Sequence, residues 1–204
     1  MLDPATTPLL LKELNDALAI EGAEPVEWII CGGTALSIRR LVARTTRDLD
    51  VISGWSTTAL EVVPLEAFPP PVERAIDRVA AAHPELRTSG TRWVNLGARG
   101  LLTFGLPPGF TARLTRLRVG DRLALEVPDR RDLVALKLLA AVDPLQRRQT
   151  IHQADFRTID PEDGEIRFAI DWVATIPDPN HQIRAELREF LQELGRDDLA
   201  YYVA

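Results

Sequence analysis

The run Ile29-Ile30-Cys31-Gly32-Gly33-Thr34-Ala35-Leu36 constrains the fold more than any other stretch of the chain. Trp28-Ile29-Ile30-Cys31 is a short apolar run ended by two glycines, and so reads as a buried strand. From Thr34 to Val42 the apolar residues Ala35, Leu36, Ile38 and Leu41 recur at helical spacing. Glycines at a strand–helix junction let the backbone turn tightly and let a phosphate approach its N–H groups. The N-terminus of the helix adds a positive end. A plain strand–helix turn uses the same residues, so the glycines take on meaning only beside the next segment of the chain.

That segment is Arg44-Thr45-Thr46-Arg47-Asp48-Leu49-Asp50-Val51, which alternates polar and apolar as far as Ile52. Side chains at i and i+2 of a strand share a face. Asp48 and Asp50 therefore stand side by side, with Leu49 and Val51 on the other face. Two adjacent carboxylates repel unless a cation bridges them. Mg²⁺ (or Mn²⁺) suits such a pair, because it is bound by one or two carboxylates together with nucleotide phosphates. A solvated strand end is the alternative reading of the same two residues.

The rest of the chain sorts into a mixed α/β first part and a helical second part. Helical stripes cover Leu9 to Ala19 and Val72 to Ala82, the latter opened by Pro69-Pro70-Pro71. Trp93 to Phe104 holds one or two short strands. Thr111 to Val119 and Arg122 to Val127 flank Gly120-Asp121 as a hairpin. Asp129 and Asp132 pair as a cap for a helix from about Arg130 to Ala141. Further helices are expected over 147–157, 162–174 and 181–194. The expected class is α+β: a mixed β-sheet flanked by helices, residues 1–128, followed by a helical C-terminal part, residues 129–204.

Of the 24 basic residues only two are lysines, Lys12 and Lys137. Lys137 lies in Leu133-Val134-Ala135-Leu136-Lys137-Leu138-Leu139-Ala140-Ala141. A lysine among such neighbours either snorkels to water or is held for a partner, since burying it unpaired is costly. Arg148, His152 and Asp155 recur at helical spacing and share one face.

Together, the strand, Gly-Gly turn, helix and Asp-x-Asp strand resemble the nucleotidyltransferase superfamily of the DNA polymerase β type. In that superfamily the glycine turn holds the triphosphate and the aspartate pair holds the metal. Gly-Gly-Thr-Ala-Leu with Arg44, Thr46 and the Asp pair is similar to its bacterial AbiEii/MenT-like branch, which includes toxins of type IV toxin–antitoxin systems. The run Asp132-Leu-x-Ala-Leu-Lys137-Leu also resembles that branch, in which a lysine on this helix and an aspartate on the next belong to the active site. The resemblance covers roughly Glu27 to Arg157. It implies Asp48, Asp50, Lys137 and Asp155 as catalytic residues, and Asp48 and Asp50 as metal ligands. It further implies Gly32, Gly33, Thr34, Arg44 and Arg47 as nucleotide-binding residues, with the helical part completing the cleft. Many such enzymes add a third carboxylate from a later strand. Glu126 is the candidate, and a solvent-facing strand position is the favoured reading of it. His152 is expected to be an ordinary surface histidine with no catalytic role.

The expected activity is Mg²⁺-dependent transfer of a nucleoside monophosphate from a nucleoside triphosphate to an acceptor hydroxyl. By resemblance the acceptor is the 3′ end of a tRNA and a cognate antitoxin protein is the partner; a protein side chain or a small molecule is equally open. The alternative is a catalytically silent protein of the same fold that binds a nucleotide or a partner. The net charge of −6 disfavours a plain DNA-binding regulator. No stretch approaches a membrane span. The lone Cys31 and the absence of a signal-like N-terminus point to a cytoplasmic, reducing setting.

Overall fold

A computed structural model describes residues 2, 5–46, 48–86, 92–144 and 150–203. The elements run in the order α1 (Thr7–Ile20), β1 (Val26–Cys31), α2 (Gly32–Ile38), β2 (Leu49–Ser56), β3 (Glu61–Val63), α3 (Pro70–Ala82), β4 (Val94–Asn95), α4 (Leu101–Phe104), β5 (Thr115–Arg118) and β6 (Leu123–Val127), and continue as α5 (Arg130–Val142), α6 (Thr150–Ile159), α7 (Asp163–Val173), α8 (Gln182–Glu193) and α9 (Asp197–Tyr202). The class is α+β, with a mixed six-stranded sheet, flanking helices and a helical C-terminal part.

The chain divides into two compact units: Met1–Gly105 with Gly109–Asp129, and Leu106–Pro108 with Arg130–Ala204. In the first, the strand order is β3-β2-β1-β6-β5, with β4 added beside β2. The apolar run of β1 puts it in the middle of the sheet, antiparallel to β2 and parallel to β6. A strand so placed is covered on both faces, and Trp28, Ile29, Ile30 and Cys31 are all buried. The stripe of α1 buries Leu10, Leu11, Leu14, Ala17 and Leu18. That of α3 buries Val72, Ala75, Ile76 and Val79, and the two helices pack on each other. Trp93 is buried and donates from Nε1 to the Ile76 carbonyl at 3.0 Å.

Three local outcomes differ from the periodicity. The helix expected from Thr34 to Val42 starts at Gly32 and ends at Ile38, and Arg40 beyond it takes a left-handed conformation at φ 58°. The strand expected to end at Ile52 runs on to Ser56 through a β-bulge: Ile30 pairs with Val51 but Ile29 with Ser53, leaving Ile52 as the extra residue. Around Gly120-Asp121 the hairpin forms, but its first strand begins only at Thr115, after a 3₁₀ turn over Phe110–Arg113.

In the second unit α5 is buried almost all round, as a helix apolar on every side must be. It packs against α6, α7 and α8. The start of α7 is closed by Glu165, whose Oε2 accepts from Glu162 N at 3.0 Å. Residues 147–149 of the expected helix 147–157, Arg148 among them, lie outside the described residues. Among the described residues, no helix is long and apolar enough to cross a membrane.

Candidate active site

The turn from β1 to α2 needs glycine for two separate reasons. Gly32 has φ 68°, in the left-handed region that side chains disfavour. A Cβ there would also fall on Oδ2 of Asp50. Gly33 has no such backbone constraint. A Cβ on it would lie 2.6 Å from Thr46 Oγ1 and 2.9 Å from Thr46 Cβ, with Arg44 Nη2 at 3.3 Å. The glycine pair therefore brings the turn into contact with Asp50, Thr46 and Arg44 at once.

The strand carrying the aspartates is pinned on both sides. Asp50 sits opposite Cys31 of β1 and opposite Asn95 of β4. Leu49 N donates to the Trp93 carbonyl at 2.6 Å. Leu49 and Val51 are fully buried. Their side chains turn into the core, and Asp50 takes the other face of the strand; Asp48, one residue before the strand begins, is half-buried like Asp50. Thr34, itself buried, donates its hydroxyl to the Asp48 carbonyl at 2.8 Å and so ties the first turn of α2 to the Asp-x-Asp segment. Arg44 Nη1 donates to the Thr45 carbonyl at 3.0 Å. Thr46 is held by two backbone hydrogen bonds to Leu2. Arg47 lies outside the described residues.

Asn95 carries no signal in the sequence, yet its Nδ2 donates to Asp50 Oδ1 at 3.3 Å. Its Oδ1 accepts from Gly97 N at 2.7 Å. A lone asparagine in a two-residue strand has no periodicity to announce it; only the pairing of β4 with β2 brings it to Asp50.

Glu126 is not solvent-facing. It is buried opposite Ile29 and Arg116, and it accepts from Arg116 Nη1 at 3.0 Å. Burial raises its carboxyl above the usual range, against the pull of Arg116. The same arginine hydrogen-bonds Glu27 and holds that carboxyl low. Alternation predicts exposure because it gives β6 one wet face, whereas all five residues of the strand are buried. Among the described residues no three His, Cys, Asp or Glu side chains gather closely enough to hold a metal ion. A cation on Asp48 and Asp50 would complete its shell with phosphate oxygens and water, the manner in which Mg²⁺ is ordinarily bound.

In the second unit Lys137 does not snorkel. Its Nζ lies 3.0 Å from Asp155 Oδ2, with the two side chains 6% and 2% exposed. His152 is half-buried rather than superficial, and its Nδ1 is 3.3 Å from the same Nζ. The helical spacing of His152 and Asp155 on α6 thus resolves into two contacts on one buried ammonium. Such a pair costs desolvation, and losing either partner would strand a buried charge.

The family model of nucleotidyltransferases of unknown function (DUF6036) matches residues 10–162, and the chain belongs to that family. No curated protein and no solved structure matches it.

Proposed function

We propose that this member of the nucleotidyltransferase family transfers a nucleoside monophosphate from a nucleoside triphosphate to an acceptor hydroxyl. One observation carries the reading: the Asp-x-Asp strand is held with Asp50 against a Gly-Gly turn where an added Cβ on either glycine would run into the side chains of Asp50 or Thr46. Backbone N–H groups of that turn and the Arg44 guanidinium receive the phosphates, and Arg47 is assigned the same task by its charge and place in the sequence. Asp48 and Asp50 are the residues that would hold Mg²⁺ or Mn²⁺. When bound, such an ion neutralises charge on the phosphates and on the attacking and leaving oxygens. The acceptor oxygen bonds to the α-phosphorus, the bond to the β-phosphate breaks, pyrophosphate departs, and the acceptor proton is given up to a base. Asp155 orients Lys137 through their ion pair. The protein contributes positioning and electrostatics more than covalent chemistry.

The finer proposal places the chain in the AbiEii/MenT-like branch, acting on the 3′ end of a tRNA as a toxin with a cognate antitoxin. The Gly-Gly-Thr-Ala-Leu run, Arg44, Thr46 and the Asp pair support it, while the acidic net charge keeps protein and small-molecule acceptors in the test.

The decisive assay incubates the protein with each α-phosphate-labelled nucleoside triphosphate, Mg²⁺ or Mn²⁺, and either total RNA or total protein. Label is expected in one acceptor class and absent with Asp48→Ala or Asp50→Ala. Failure to label any RNA, protein or small molecule overturns the enzyme reading. Tight cation-dependent nucleotide binding without turnover would make the chain a silent binding module instead.

A further inference from the structure

We infer that Asn95 is a positioning residue for Asp50, setting which carboxylate oxygen faces the Gly32 turn; the inference rests on the nucleotidyl-transfer reading. Asn95 is placed by the core. Trp93, two residues earlier, is anchored through Nε1 to Ile76, and its carbonyl accepts from Leu49 N. That bond sets the register in which Asn95 lies opposite Asp50.

The orientation of the Asn95 amide is not arbitrary. Its one oxygen must face the backbone N–H of Gly97, which can only donate, at 2.7 Å. The NH₂ group is thereby turned toward Asp50 Oδ1, at 3.3 Å. Gly97 guards this arrangement, because a Cβ there would come within 2.8 Å of Asn95 Oδ1. With Oδ1 engaged, the Asp50 carboxylate is held in the plane that puts Oδ2 against Gly32. Asn95 is assigned no contact with the nucleotide. It acts through Asp50, as groups that hydrogen-bond a ligating carboxylate do.

Asn95→Ser keeps a hydroxyl to accept from Gly97 N but is too short to reach Asp50. Gly97→Ala keeps Asn95 and crowds its amide. Mn²⁺ is titrated into each protein with a non-hydrolysable nucleoside triphosphate, following free Mn²⁺ by its electron paramagnetic resonance signal. Triphosphate affinity without metal and the thermal midpoint are measured beside it. Both variants are expected to lose Mn²⁺ affinity, by roughly tenfold or more for Asn95→Ser, with metal-free triphosphate affinity retained. Wild-type Mn²⁺ affinity in both folded variants overturns the role of Asn95 and leaves the nucleotidyl-transfer reading standing. A wild-type protein that binds no Mn²⁺ overturns that reading, and the inference with it.

Discussion

Replacing Gly32 by alanine tests the contact on which the site is built. Two separable costs are expected. The first is backbone strain: holding alanine at φ 68° costs roughly 1–2 kcal/mol. At about 2–4 °C per kcal/mol for a chain of this size, that alone lowers the thermal midpoint by roughly 2–8 °C. The second is steric: the new Cβ falls on Asp50 Oδ2, so the carboxylate must leave its rotamer or the turn must shift. An off-rotamer side chain adds about 0.5–1.5 kcal/mol. Displacing a reacting group by about 1 Å costs on the order of a hundredfold in rate. Gly22 supplies the control. It has φ 67° and nothing within 4 Å of its would-be Cβ, so Gly22→Ala carries the strain without the clash. The assay compares thermal unfolding and Mn²⁺-dependent nucleotidyl transfer for both variants. Gly32→Ala should be the less stable of the two and nearly inactive, and Gly22→Ala should keep its activity. Equal stabilities with full transfer activity in Gly32→Ala would refute the claim that Asp50 is seated against the turn.

Two further predictions concern parts of the molecule outside that turn. Asp155→Ala leaves the Lys137 ammonium buried without its carboxylate, and should cost about 3–5 kcal/mol in urea unfolding. Lys137→Met combined with Asp155→Leu should recover much of that stability without recovering transfer; a double variant as unstable as Asp155→Ala would show that the pair is not the source of the cost. His83, at the end of α3, lies 2.6 Å from Glu13 of α1 and 3.2 Å from Glu85. The Glu13 hydrogen bond, against burial, raises its pKa above the ordinary 6.5. With the folded pKa raised, its stabilisation is fully present below 6.5 and fades as pH climbs through the folded value. His83→Gln should therefore lower the urea midpoint at about pH 6 and change it little at about pH 9; an equal loss at both would refute the assignment.

Much of the local architecture is legible because it is written in short-range chemistry. An apolar run ended by glycines can be little else than a buried strand and a turn, and β1 and α2 meet at Gly32. The parity of Leu49, Asp50 and Val51 comes from the two-residue period of a strand, and the burial of Leu49 and Val51 obeys it, although the strand begins only at Leu49, after Asp48. The apolar surround of Lys137 announces a lysine needing a partner, and the helical spacing of His152 and Asp155 puts both on one face. Legibility fails where burial depends on neighbours distant in sequence. The alternation of β6 does not reveal that both its faces are covered, so it misplaces Glu126 in solvent. The bulge at Ile52 arises from register against β1, which no local pattern encodes. The short helix α9 comes soon after α8 and is too brief to show a period.

By itself, then, the sequence determined which residues are candidates for the chemistry and which local conformation each requires, because glycine at positive φ, alternating strand parity and helical spacing are properties of adjacent residues. Only the tertiary structure decided their company. Strand pairing brings Asn95 to Asp50 from 45 positions away, and helix packing brings Lys137 to Asp155 across 18. The partner of a buried polar group is chosen by the packing that excludes water from it, and that packing is settled only when the whole unit has folded.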